Sequence, residues 1–405
     1  MNSDNILAVI DIGSAETKVF IVDLAPKLKI VGGFSAPTQG MRKGEIVNLG
    51  ELKSSVQAVL RTAEEQTGIV GHVRNACLAV SGTAVGGFSV AGITSVKSGV
   101  VSGEDKISAE NDALESCLKR LADDRHVVLR RRRRYLLDGD ESDEPLGLAG
   151  HSLSCEMWIT DAADRYLTEL YQIPNRYGMT VRGLFPASVA SAQSVRTHSE
   201  MDKNRLVIDI GAGTSDYALF RNGRLVLTGV IPVGGAHVTN DISHGLQIRT
   251  EDAERLKIRY GKAVARDADA LREIDLDDDS LDADLKDFAQ HVSLYKMELV
   301  TELRLRELFT LIAKKVNAGE VFAGTVFLTG GTSKLREIGD LASAVFGNSE
   351  VRLAEPAESF ALNYSDPKYA TVVGLASLFR EELARSRGSA GVVGGIRRFF
   401  RELFR

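Results

Sequence analysis

The chain carries one signature twice. NILAVIDIGSAETKVFIVDL (5–24) and RLVIDIGAGTSDYALFRNGR (205–224) each read as an apolar strand, Asp-Ile-Gly, a small polar turn and a second strand. A duplicated strand–turn–strand predicts two similar α/β halves facing one another, and 405 residues are enough for about two domains. After the first copy the pattern predicts a helix (51–68) and a strand (76–81), then a mixed stretch with its own helix (104–121) and strands to about 180. After the second copy it predicts helices around 251–260 and 292–316 and a strand at 325–329. The acidic stretch 265–287 reads as a solvated insertion or a helix–loop edge.

Each signature has the chemistry of an anion-gripping turn. In the first, Asp11 ends the strand and Gly13, Ser14 and Ala15 let the backbone turn tightly, pointing N–H groups into one concavity. Lys18 adds a full positive charge. Gly211, Ala212, Gly213 and Thr214 repeat the device around Asp209. Two such turns facing each other would hold a polyphosphate from both sides. Asp11 and Asp209 would then hold a hydrated Mg²⁺, an ion that keeps most of its waters and takes one or two carboxylates. An ordinary Asp-Gly hairpin explains one copy alone, but not two copies followed by a third glycine turn, LTGGTSK (328–334). There Gly330, Gly331 and Thr332 follow a strand and open a helix, so the backbone can approach a flat base or a phosphate closely. Glu254 and Lys257, three apart on one helical face, suit a ribose or form a plain solvated ion pair.

Two stretches of small residues complete the pattern. Ala187, Ala190, Ser191 and Ser194 line one face of 184–195, and Ala370, Gly374 and Ser377 line one face of 368–379. Core packing explains them, or a pair of hinge helices between two domains.

The last eleven residues, GIRRFFRELFR, sort on a helical wheel. Ile396, Phe399, Phe400, Leu403 and Phe404 share one face, with Arg397, Arg398, Arg401 and Arg405 opposite. Residues 385–394 upstream are glycine-rich and read as a flexible linker. A basic amphipathic helix on a leash suits a membrane interface, although docking on the protein core is the plainer use of such a face. Each buried apolar side chain contributes about 1.5–3 kcal/mol, less in an interface. Each arginine near anionic lipid adds roughly 1 kcal/mol. Such binding is reversible for a monomer and firm for a polymer.

Other features exclude classes. A net charge of −5 gives the body no general attraction for nucleic acid. Cys77, Cys117 and Cys155 are odd in number and far apart, and read as small core residues of a reducing compartment. The start, MNSDNILAVIDIG, has no basic region before an apolar stretch and does not read as a secretory leader. No window is apolar enough for a spanning helix.

The two turns, the third glycine turn, the 250–261 segment and the two small-faced helices, in this order, resemble the actin, sugar-kinase and heat-shock chaperone ATPase superfamily. RYLLDGDESDEPLGLAG (134–150), IPVGGAHVTNDI (231–242), DAERLKIRYG (252–261), VFLTGGTSKL (326–335) and the basic tail are similar to one branch of it, the bacterial FtsA family. The resemblance covers nearly the whole chain. It implies an actin-like (ribonuclease H-like) two-domain α/β fold with an inserted 1C subdomain of SHS2 type and a C-terminal amphipathic helix. The expected division is 1A at 1–85 and 181–200, 1C at 86–180, and domain 2 at 201–384 with 2B at about 240–315. Its last helix, about 368–380, would pack back towards 1A, ahead of a linker (385–394) and a membrane helix (395–405).

The resemblance further implies ATP and Mg²⁺ binding, with Gly234 added to the nucleotide-binding residues. It implies polymerisation into protofilaments on the inner face of the cytoplasmic membrane at the septum. The partners implied are the C-terminal peptide of FtsZ, whose ring it would tether, and later division proteins; no nucleic acid is implied. Arg304, in TELRLRELF (301–309), would meet the acidic FtsZ peptide, although Leu303 stands where the family often has proline. Phe185 stands before Pro186, where many superfamily members carry a water-orienting Glu or Gln, so hydrolysis is expected to be slow at most. The run RRRRRY (130–135) is unusually charged and reads as a solvated edge strand or as a basic surface for lipid or an acidic partner. A small-molecule kinase of the superfamily and an actin-like scaffold of type IV pilus assembly are the alternatives.

Overall fold

Each signature forms the middle of a sheet. The computed structural model describes residues 5–195, 203–266, 273–275, 291–318, 321–347 and 349–386. The expected membrane helix at 395–405, linker residues 387–394 and most of the acidic insertion lie outside the described residues.

In the first half, β1 (Ile6–Ile12), β2 (Glu16–Asp23) and β3 (Lys29–Pro37) form an antiparallel meander. A small hairpin of β4 (Met41–Arg42) and β5 (Glu45–Ile46) leads to α1 (Leu49–Thr67). Asn48 caps this helix by accepting from the N–H groups of Gly50 and Glu51, and Gly68 ends it at φ 69°. Next comes β6 (Asn75–Val80), parallel to β1.

The chain then detours through β7 (Val85–Ser95), α2 (Gly103–Arg120), β8 (Arg125–Leu137), β9 (Asp140–Ser142), β10 (Ser152–Ala163) and α3 (Asp164–Asn175). These strands make a separate sheet in the order β7-β10-β8-β9, with α2 on its face and a core of its own. β11 (Thr180–Pro186) rejoins the first sheet beside β6, giving the order β11-β6-β1-β2-β3.

The second half repeats that plan. After α4 (Ala187–Ser194) come β12 (Arg205–Ile210), β13 (Ser215–Arg221) and β14 (Arg224–Ile231), again an antiparallel meander. Helices α5 (Gly235–Leu246) and α6 (Thr250–Tyr260) follow, then the paired β15 (Glu273–Asp275) and β16 (His291–Ser293), then α7 (Leu294–Val316). β17 (Thr325–Thr329), α8 (Ile338–Phe346), β18 (Glu350–Leu353) and α9 (Ala370–Ser386) close the half. Its sheet order, β14-β13-β12-β17-β18, matches the first sheet strand for strand. One core cluster draws Leu7 and Phe20 from the first sheet, Val207 and Phe327 from the second, and Val372 and Leu375 from α9.

Four local expectations are corrected. The helix expected from 184 starts only at Ala187, because Leu184, Phe185 and Pro186 pair with β6 as the end of β11. The third glycine turn opens a short 3₁₀ turn (Gly331–Lys334) before α8, not a helix directly. The last helix runs on to Ser386, two residues into the expected linker. Four of the five arginines in the run are also already partnered. Arg131 pairs with Glu382 of α9 at 2.8 Å, Arg132 donates to the Tyr135 hydroxyl at 3.1 Å, Arg133 donates to Ser89 at 2.9 Å and Arg134 meets Glu156 at 2.9 Å. β8 lies inside its sheet, although β9 covers only Tyr135–Leu137 on that side.

Among the described residues no helix is long and apolar enough to cross a membrane. All three cysteines are buried and free.

Candidate nucleotide site and family relationship

The two signature turns are superposable in their bonding. Gly13 N donates to Glu16 O at 3.1 Å, and Gly211 N donates to Thr214 O at 2.9 Å. Across each strand pair Asp11 stands opposite Lys18, and Asp209 stands opposite Asp216. The turns come from different halves yet touch: a methyl added to Gly213 would lie 2.2 Å from Ser14 Oγ. Between them lies a cavity of about 690 Å³.

Nearly every residue singled out from the sequence for a nucleotide lines this cavity. Asp11, Gly13, Ser14, Ala15 and Lys18 come from the first half. Asp209, Gly211, Ala212, Gly213, Thr214, Glu254, Lys257, Gly330, Gly331 and Thr332 come from the second. Gly234 is not in the lining; it sits behind the second turn, where an added methyl would lie 2.5 Å from Gly211 O. The next residues, Gly235 and Ala236, donate their N–H groups to Gly211 O at 2.9 Å and Ala212 O at 2.8 Å. The N-terminus of α5 thereby braces the turn.

The third glycine turn braces it from the other side. Gly330 has φ +87°, and a methyl there would lie 2.2 Å from Asp209 Oδ1, so only glycine fits. Thr332 Oγ1 donates to Gly211 O at 2.9 Å.

The charges divide unevenly. Lys18 Nζ lies 3.2 Å from Asp11 Oδ2. Burial works against the Lys18 ammonium, but Asp11, then Asp209 and Glu16, hold its pKa above the ordinary value. Asp209 accepts from Ser191 of α4 and from Thr371 of α9, the latter at 2.8 Å, and those two hydroxyls lie 2.9 Å apart. Burial raises the Asp209 carboxyl despite those bonds. Asp216 accepts from Ser81 Oγ at 2.7 Å, while its other oxygen is buried without a hydrogen-bond partner. Burial, reinforced by Asp209 and Asp11, pushes Asp216 up to about 8.

Lys257 is buried and its ammonium points at Glu254 Oε2 (2.6 Å), Thr239 Oγ1 (2.8 Å) and Gly235 O (3.1 Å), which occupies all three of its protons. Glu254 stays partly exposed at the cavity edge. Among the described residues no three His, Cys, Asp or Glu side chains gather in a way that could hold a metal ion. A divalent ion here would therefore depend on ligand phosphates and water, which is how Mg²⁺ normally binds.

Sequence reading missed Asp216, Thr371, Ser81 and Tyr166, all of which line the cavity. A signal for Asp216 was present, since it occupies in the second copy the place that Lys18 holds in the first. Phe185 is buried and outside the lining. Arg304 lies on α7, outside the cavity lining, bonded to Asp241 at 2.6 and 3.1 Å and to Glu307 at 2.6 Å.

The sequence model of the family described as cell division protein FtsA matches residues 206–374. The cell division protein FtsA of Pseudomonas aeruginosa is 29% identical over 384 residues, covering 93% of this chain and 89% of that protein. The chain is similar to FtsA proteins along more than nine-tenths of its length. FtsA of Escherichia coli is 28% identical over 389 residues, covering 92% of this chain and 90% of its own length.

Solved structures show the actin-like fold. A chain of the PilM–PilN type IV pilus biogenesis complex aligns with TM-score 0.63 and 18% identity, over 92% of this chain and 98% of that one. MreB5 of Spiroplasma citri bound to ADP aligns with TM-score 0.54 and 12% identity, over 96% and 99%. The FtsA relatives, matched along nearly their whole lengths, support an actin-like role in cell division over the kinase and pilus alternatives.

Proposed function

We propose that this chain is an FtsA-type protein that binds ATP with Mg²⁺ in the cavity between its two turns and uses it as a switch for polymerisation. The observation that carries this reading is the contact of the turns from opposite halves, Ser14 against Gly213, over a cavity lined by backbone N–H-rich glycines and by Lys18. In this reading the Gly13–Ala15 and Gly211–Thr214 turns hold the phosphates and Gly330–Thr332 meets the nucleoside. Asp11 and Asp209 hold the waters of Mg²⁺. The ion neutralises phosphate charge; the chain's own part is to orient the phosphates and draw the halves together. MreB5, bound to ADP in its solved structure, lends support by fold. Hydrolysis is slow at most, because Phe185 cannot orient water.

The rest of the proposed role follows the family. Residues 86–180 form 1C, 201–384 form domain 2, and filaments assemble on the inner face of the cytoplasmic membrane at the septum. The tail residues 395–405 hold them there, the FtsZ C-terminal peptide docks beside Arg304 on 2B, and later division proteins are recruited. Deleting 393–405 tests the central claim. Loss of liposome co-sedimentation with ATP binding and ATP-dependent filaments retained is expected. A deletion that leaves lipid binding intact, or a full-length protein that forms no filaments with ATP on a lipid monolayer, would sink the reading.

A further inference from the structure

Ser81 stands where three parts of the fold meet. It is the first residue after β6 of the first half, and it opens the crossing (81–84) into β7 and the four-stranded sheet. Its hydroxyl reaches into the other half. It donates to Asp216 Oδ2 on β13 at 2.7 Å and lies 3.5 Å from Thr214 Oγ1, and Thr214 turns to the same carboxyl oxygen at 3.4 Å.

The backbone that carries this hydroxyl is fixed on every side. Gly82 has φ +98°, and a methyl there would lie 2.1 Å from Gly44 O. Gly44 in turn donates its N–H to Ser14 Oγ at 2.9 Å, and a methyl on it would lie 2.6 Å from Thr214 Cγ2. The return from the four-stranded sheet is stitched to the same crossing. Ala163 N and the Arg125 guanidinium both donate to Ala84 O, at 3.1 and 3.0 Å. The hydroxyl of buried Tyr166 meets the Ser81 backbone.

The acceptor is equally confined. Asp216 is 7% exposed, and its Oδ1 is buried without a hydrogen-bond partner. Parting the halves here takes the Ser81 hydroxyl from Oδ2, so a carboxyl already short of one donor loses another. Asp216 also follows closely on the Gly211–Thr214 turn, and whatever holds Asp216 holds the end of that turn.

We propose that Ser81 is a positioning residue of the nucleotide site: its hydroxyl clasps Asp216 across the two halves, keeps the second turn in its gripping shape and thereby slows nucleotide release. The clasp rests on the reading of the cavity as a nucleotide site.

Two measurements on the full chain test it. One is the release of a fluorescent ATP analogue, chased with unlabelled ATP. The other is hydrogen exchange of the amides of 211–216 without nucleotide. Ser81→Ala should release the analogue about tenfold faster, with little change in the association rate, and should speed exchange in the turn. Ser81→Thr, which keeps the hydroxyl, should restore both. In an Asp216→Ala background the loss of the Ser81 hydroxyl should add nothing. Unchanged release from Ser81→Ala, no rescue by threonine, or effects that simply add in the double variant would overturn the clasp. A wild-type protein that takes up no nucleotide would overturn the reading beneath it, and the exchange measurement then decides by itself whether Ser81 holds Asp216.

Discussion

A methyl group placed on Gly374 would lie 1.7 Å from the carbonyl oxygen of Ala190. The crossing of α4 and α9 therefore brings backbone against backbone, and it carries Ser191 and Thr371 to the same carboxylate, Asp209. The two helices between the halves and the second turn thus form one hydrogen-bonded unit. A movement of α4 against α9 must disturb Asp209.

Replacing Gly374 with valine should wedge the helices apart, because no rotamer of the new side chain relieves a clash with backbone. Overpacking of this kind costs about 1–3 kcal/mol. A lower melting temperature and weaker binding of a fluorescent ATP analogue are expected. A variant that melts like the wild type would show that the crossing yields easily.

Lys18→Ala should weaken nucleotide binding far more than it weakens the fold. It removes a cation held above its ordinary pKa and leaves Asp11 facing Asp209 without it. A hydrogen bond to a charged group is worth about 1.5–3 kcal/mol, so affinity should fall roughly tenfold to a hundredfold. Equilibrium titration with the same analogue measures it; unchanged affinity would place the phosphates elsewhere.

Asp216 should make stability pH-dependent. Its carboxyl titrates near 8 when folded against an ordinary 3.8, so the folded chain holds this proton more tightly than the unfolded chain. Its contribution to stability is therefore full below about 3.8, falls as pH rises through this window and levels off above about 8. Asp216→Asn should flatten that fall. Melting curves of the ligand-free proteins from acid to mildly alkaline pH check it, and parallel profiles for both would count against the assignment.

Thr228→Val should loosen the seam between the four-stranded sheet and the second half. The substitution keeps the shape but strips the Trp158 indole N–H and the Thr160 hydroxyl of a shared buried partner. An unsatisfied buried group costs about 1–3 kcal/mol. Lower stability and a shifted Trp158 emission are expected, and an unaltered protein would mean that both groups find other partners.

Much of the site was legible because its chemistry is local. Asp11 with Gly13, and Asp209 with Gly211, lie within a few residues of each other, and a tight turn needs only those neighbours. The small faces of α4 and α9 were legible for the same reason, as was the glycine of the third turn. The 3₁₀ geometry at Gly331–Lys334 was not, since it follows from bracing against Gly211 by Thr332. The partners of the arginine run were also hidden: Arg131 finds Glu382 from the far end of the described chain. The raised pKa of Asp216 was hidden too, because it comes from burial beside Asp209 and Asp11.

By itself the order of residues determined the strands, the paired glycine turns and their repetition, because backbone freedom and apolar alternation act over a few neighbours. The tertiary structure decided which carboxylate is desolvated, which cation is already paired, and that Gly374 packs against the Ala190 carbonyl. Those properties depend on what surrounds each group in space, and the surrounding groups come from distant parts of the chain.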